Sequence, residues 1–210
     1  FDGIGVEWDA YEHPNIITDA KWETVTARMR KLAPAFIRCM INLDWVLPDW
    51  QKGEDGAPDT WSYNWEQANI KSLLQILDYC QSAGVKVALG SWRAVDGWDM
   101  KDSADDRFAQ IFGEIFDELV NTRGYTCIKW VVPTNEPNYL PGKTFETWHT
   151  GVEKGYAQFR DKGLLDKVSI TGPDATSQTA AMTWCESAAR DTHDKLGNYS
   201  IHLYVSDYTV

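Results

Sequence analysis

Six short β-rich runs alternate with five segments of helical period along this chain of 210 residues. The runs are Ile4–Val6, Phe36–Ile41, Val85–Leu89, Ile128–Val132, Val168–Thr171 and Ser200–Val205. Between them apolar residues recur every three or four positions. Asp19–Ala33 carries Trp22, Val25, Met29 and Leu32, and Trp65–Ala83 carries Ile70, Leu73, Leu77 and Cys80. Asp105–Asn121 carries Phe108, Ile111, Phe112, Ile115, Phe116 and Leu119. Thr144–Lys162 carries Trp148, Val152, Tyr156 and Phe159, and Ser177–Leu196 carries Ala181, Trp184 and Ala188. Gly84, Gly124, Gly163 and Gly197 stand where four of these segments stop, as glycine does at helix ends. Strand and helix in strict alternation build a parallel sheet covered by helices. The runs are apolar along their length, as strands covered on both faces are.

Two architectures fit, a doubly wound open sheet and a (β/α)8 barrel. Gly3-Ile4-Gly5-Val6-Glu7 lacks the glycine-rich phosphate turn of a nucleotide-binding open sheet. Polar and aromatic residues gather instead just after the runs: Glu7-Trp8-Asp9, Asn42-Leu43-Asp44-Trp45, Ser91-Trp92-Arg93, Asn135-Glu136-Pro137-Asn138 and Asp174. Barrel enzymes keep their chemistry at that end. The expected fold class is therefore α/β, a (β/α)8 TIM barrel. Asp49–Ser62 reads as a long loop and not a boundary, so residues 1–210 read as one domain. Successive runs start about 40 residues apart, so two more units would bring the total to roughly 290 residues, against about 250 for a typical barrel. The chain reads as about six of the eight units, an incomplete barrel.

Composition narrows the function. Lys+Arg 20 against Asp+Glu 31 gives a net charge of −11, which argues against nucleic acid and anionic membrane as partners, since both need a basic face. No apolar run is long enough to span a bilayer. The 11 Trp suit a cleft that stacks flat rings, sugars above all, because pyranose C–H faces pack on indole while the hydroxyls stay free for hydrogen bonds. Cys39, Cys80, Cys127 and Cys185 are widely spaced within predicted elements and read as free thiols. They imply no metal or cofactor and leave the compartment open; a secreted protein without its leader would read the same.

The sharpest signal is Ile128-Lys129-Trp130-Val131-Val132-Pro133-Thr134-Asn135-Glu136-Pro137-Asn138. A buried strand ends in a carboxylate flanked by two amides, and Pro137 forbids an immediate helix. In an aromatic crevice Glu136 would have its pKa raised, as a general acid needs. The bland alternative is a glutamate in a solvated turn or in an ion pair. Trp8, Trp45, Trp92, Trp98 and Tyr139 follow strand ends and read as sugar platforms, whereas Trp22, Trp65, Trp148 and Trp184 lie on helical stripes and read as packing. Glu7 and Asp174 read as holders of sugar hydroxyls, with a loop-ordering role equally open.

With Arg38 on the second strand, Asn135-Glu136-Pro137 ending the fourth and His202-Leu203-Tyr204 on the sixth, the chain resembles the retaining β-glycosidases of glycoside hydrolase clan A, with families 5, 30 and 39 among its members. The resemblance implies that Glu136 is the acid/base and that Asn135 binds the sugar 2-hydroxyl. It further implies that Arg38 and Tyr204 serve the nucleophile carboxylate and that His202 lines the subsite. It implies a carbohydrate partner, no cofactor, and a nucleophile glutamate on a seventh strand. Asp44, Asp174 and Asp207 do not sit where that nucleophile belongs. The 210 residues alone are therefore expected to be inactive, and their open strand edges to self-associate or be completed by further strands. Two other readings stay open: a non-catalytic carbohydrate-binding barrel, and an unrelated barrel enzyme, which the absence of a strand-end lysine or phosphate loop disfavours.

Overall fold

The computed structural model describes residues 3–10, 19–47, 62–92, 100, 102–139 and 143–204. The order is β1 (Gly5–Glu7), α1 (Asp19–Leu32), β2 (Phe36–Ile41), α2 (Ala68–Ala83), β3 (Lys86–Ser91), α3 (Asp106–Phe116), β4 (Ile128–Val132), α4 (Phe145–Asp161), β5 (Ser169–Thr176), α5 (Gln178–Asp191) and β6 (Asn198–His202). A short 3-10 turn, Leu43–Trp45, follows β2, and a π-helical stretch, Asp117–Thr122, extends α3. The six strands lie side by side in chain order, every neighbouring pair parallel. This is the expected partial (β/α)8 barrel: each helix returns the chain from one strand to the next, and β1 and β6 form the lateral edges of the sheet.

Local chemistry sets the element ends. The Asp105 side chain accepts from Arg107 N–H and caps α3, and the Thr144 hydroxyl accepts from Thr147 N–H and caps α4, each satisfying an amide that the first turn leaves without a partner. Gly84 closes α2 at φ +70°, with its N–H on Cys80 O, a left-handed conformation that costs glycine nothing.

The inner strands β2 to β5 bury residues on both faces, in different company. Ile37, Cys39 and Ile41 of β2, with Val87, Leu89 and Val131, join the helices in one continuous apolar layer. Phe112, Phe116 and Phe159 dominate its α3–α4 part, with ring centroids 4.9 to 6.0 Å apart. The alternate residues of β2, Arg38 and Met40, point to the opposite, inner face, as the two-residue period requires. There Met40 of β2, Gly90 of β3 and Val132 of β4 converge. A Cβ at Gly90 would lie 2.8 Å from Met40 Sδ and 2.8 Å from both Val132 Cβ and its carbonyl oxygen, so only glycine fits. Glu7 and Arg38 are register partners on β1 and β2, one pleat before this layer in the strand direction.

Candidate active site

The site grows from that inner face. Arg38 reaches across three strands. Its Nη1 donates to Glu7 Oε2 on β1 at 3.1 Å, and its Nη2 donates to Asp174 Oδ2 on β5 at 3.0 Å and to Asn135 Oδ1 at 2.5 Å. Asn135 lies just beyond β4, its N–H on Ser91 O at 2.9 Å. Glu136 follows at φ +42°, a left-handed conformation that a residue with a Cβ adopts only when its surroundings impose it. Here the restraints are visible. Tyr139 N–H closes the turn onto Glu136 O at 2.9 Å. Asn138 clamps the turn to β5, donating to Thr176 O at 2.7 Å and accepting from Thr176 N–H at 2.8 Å.

Glu136 Oε1 meets His202 Nδ1 at 2.7 Å and accepts from the Tyr204 hydroxyl. The other ring nitrogen, His202 Nε2, lies 3.2 Å from Asp174 Oδ1. An ionised carboxylate only accepts, so with both carboxylates charged both ring nitrogens donate and His202 is an imidazolium. The electrostatics agree. Burial pushes His202 down, but Asp174 and then Glu136 outweigh it and raise the ring above its ordinary 6.5. Burial likewise pushes Asp174 up, and His202 and Arg38 reverse that and hold it below 3.8. Arg38 loses hydration on burial, yet Asp174 and Glu7 raise it further above its ordinary value.

Glu136 departs from its expected state. Burial raises its pKa, as the sequence reading anticipated, but hydrogen bonds from Tyr204 and His202, the His202 charge and Thr176 together leave it below 4.5. The crevice around it is lined with donors, not only with apolar rings, so the structure holds Glu136 as the carboxylate. The Tyr204 hydroxyl bonds Glu136 within the described residues.

Seven of the expected site residues thus form one connected network: Glu7, Arg38, Asn135, Glu136, Asp174, His202 and Tyr204. Trp92 joins it, half-buried, with the Arg38 guanidinium 5.9 Å from its ring centroid. Tyr139 stands at the rim, 76% exposed. Trp8 is not brought there. It is buried among the helices, 5.4 Å from the Trp22 ring and 5.6 Å from Tyr79, so it packs the outer layer and offers no platform. Trp45 is likewise buried in the apolar core. Trp98 and Asp207 lie outside the described residues. Asp174 is only 2% exposed, so it binds Arg38 and His202 and has no free edge for a sugar hydroxyl. It also sits inside β5, at φ +58° and at a register shift against β6, not after the strand.

The sequence reading gave no role to Asn138 or Asp9. Asp9 accepts from Met40 N–H at 2.7 Å. Burial, then the neighbouring Glu7, push its carboxyl up to about 6 despite that bond. Its place two residues past Glu7 was the available signal, since side chains at that spacing along extended chain fall on one side. All four cysteines are free thiols, Cys39, Cys80 and Cys127 buried and Cys185 partly so. Among the described residues no helix is long and apolar enough to cross a membrane.

No family model matches this chain, and no curated protein does. Solved structures do. A family 39 glycoside hydrolase from the gut symbiont Bacteroides cellulosilyticus WH2 superposes with a TM-score of 0.67 at 16% identity, over 99% of this chain and 39% of its own. A β-mannanase from Thermomonospora fusca, solved with mannohexaose, gives 0.62 at 14% identity, over 98% of this chain and 61% of its own. A family 30 subfamily 8 xylanase from Clostridium acetobutylicum gives 0.63 at 15% identity, over 97% and 50%. The chain thus spans less than two thirds of each. The likeness is one of fold, a partial (β/α)8 barrel of the kind these glycoside hydrolases have.

Proposed function

We propose that this chain carries the acid/base half of a retaining glycosidase for β-linked glycosides or polysaccharides. Glu136 protonates the departing glycosidic oxygen and then deprotonates water. Asn135, held by Arg38, binds the sugar 2-hydroxyl, and Trp92 and Tyr139 stack the rings. The observation that carries the reading is the convergence of Arg38, Asn135, Glu136, His202 and Tyr204, from three separate strands, on one rim of the barrel. The fold they share with family 39, 30 and mannanase structures supports it.

The state of Glu136 fits the second half of such a cycle, in which a carboxylate accepts a proton from water. The first half needs it protonated. A retaining site has a second carboxylate about 5–5.5 Å away, and its charge would raise Glu136. Among the described residues Asp174 and Glu7 are already engaged by Arg38, while Arg38 Nε is a buried donor with no acceptor. The reading therefore assigns the nucleophile to a seventh strand and no turnover to the 210 residues alone. In a polypeptide that includes that strand, Glu136→Gln lowers turnover of aryl β-glycosides by about 10²–10⁴-fold with binding retained. Unchanged turnover would remove Glu136 from the chemistry. Sugar binding with no turnover in the wild type would select the non-catalytic barrel instead.

A further inference from the structure

We propose that Asp174 is a positioning residue: one buried carboxylate on β5 sets both members of the Asn135–Glu136 pair, holding Asn135 through Arg38 and Glu136 through His202. The role of the pair rests on the glycosidase reading; the device itself does not.

The geometry is specific. Asp174 Oδ2 accepts from Arg38 Nη2, and the same nitrogen donates to Asn135 Oδ1. Asp174 Oδ1 faces His202 Nε2 at 3.2 Å, and the opposite ring nitrogen faces Glu136 Oε1 at 2.7 Å. Each carboxylate oxygen thus serves one cation, and each cation serves one member of the pair. Asp174 is 2% exposed and is held at φ +58° within a strand whose register shifts at that point. A sugar cannot reach a group so enclosed, and a residue needed only to fill space would not be a buried charge, which is costly to desolvate unless it is paired.

The chemical consequence follows from the ring. With Asp174 ionised, His202 Nε2 has an acceptor and the ring stays an imidazolium, so Nδ1 donates to Glu136 and favours its carboxylate form. The charged and titratable groups that face the ring are Asp174 from β5, Glu136 from the turn after β4 and Arg38 from β2, with Tyr204 bonded to the same Glu136 oxygen. Removing the Asp174 charge weakens the hold on the ring proton. Glu136 then loses a cationic neighbour and is protonated at higher pH.

Nitrogen-15 NMR of the histidine side chains in this chain tests the device without any turnover. In the wild type, both ring nitrogens of His202 are protonated at pH 7, above the ordinary histidine value of about 6.5. In Asp174→Asn the His202 titration midpoint moves down and the Glu136 carboxyl midpoint moves up. A neutral His202 ring in the wild type at pH 7 would overturn the proposal and needs no variant to fold. So would an Asp174→Asn chain, folded by its amide dispersion, in which both midpoints stay where they were. Failure here leaves Glu136→Gln still able to abolish turnover. Conversely, a Glu136→Gln enzyme that keeps its turnover would sink the glycosidase reading and leave the NMR result standing.

Discussion

Replacing Asp9 with Asn should stabilise the protein, and only above a defined pH. Asp9 lies half-buried at the end of β1 beside Glu7, with its Oδ1 accepting from Met40 N–H at 2.7 Å. Burial and Glu7 raise its carboxyl from 3.8 to about 6. A raised folded-state value means that the folded chain holds the proton more tightly than the unfolded chain. Stability is therefore highest below about 4 and falls as pH rises through about 6. Two units correspond to roughly 3 kcal/mol at about 1.4 kcal/mol per unit, and solvent screening at a half-exposed group reduces this to about 1–2 kcal/mol. Asparagine keeps an oxygen for Met40 N–H and never ionises. Urea unfolding at pH 8 should show Asp9→Asn more stable by about 1–2 kcal/mol, and unfolding near pH 4 should show little difference. Equal effects at the two pH values, or a less stable variant at pH 8, would refute the argument that burial and Glu7 penalise this charge.

Other perturbations follow from the same contacts. Asn138→Ala removes both bonds of the clamp on β5 and strands a buried amide, at a cost of about 1–3 kcal/mol; faster hydrogen exchange at Thr176 and Tyr139 would report it. Gly90→Ala forces a Cβ to within 2.8 Å of Met40 and Val132 and should lower stability by at least about 1–3 kcal/mol in chemical denaturation. Phe159→Ala empties a fully buried position between Phe112 and Phe116 and should cost about 3–5 kcal/mol by the same measurement. The site network has its own pH window. The depressed Glu136 and Asp174 contribute stability that is present above 4.5 and 3.8 and lost on acidification through their folded values. The raised His202 contributes stability that is present below 6.5 and lost as pH rises through its folded value. In His202→Gln the part of this alkaline fall that lies above pH 6.5 should shrink, while the Asp9 fall at lower pH remains.

The alternation of strands and helices was legible because it is local: apolar spacing and terminal glycines decide it within a few residues. Phe36–Ile41 and Ile128–Val132 coincide with β2 and β4, and the other elements differ only at their ends. β5 was the exception in kind. Asp174 read as lying just after a strand that ended at Thr171, yet β5 continues to Thr176, because the register shift against β6 absorbs Asp174. The residues of the network were legible through their strand positions, since strand ends at one rim of a barrel converge. Their partners were not. A tryptophan after a strand can turn toward the rim or the helices, and Trp8 and Trp45 took the second course because a continuous apolar layer was there to receive them. The ionisation of Glu136 depends on Tyr204 and His202, 68 and 66 residues away in sequence, and no local pattern encodes that meeting.

The leaving-group dependence of Glu136→Gln hydrolysis tests the central claim most directly, in a polypeptide that includes the seventh strand. A dinitrophenolate leaves without a proton, so the variant should cleave dinitrophenyl β-glycosides in the first step at close to the wild-type rate. Glycosides with strongly basic leaving groups should lose about 10²–10⁴-fold, the usual worth of a general acid. A loss of the same size across the series, or no loss at all, would contradict proton donation by Glu136.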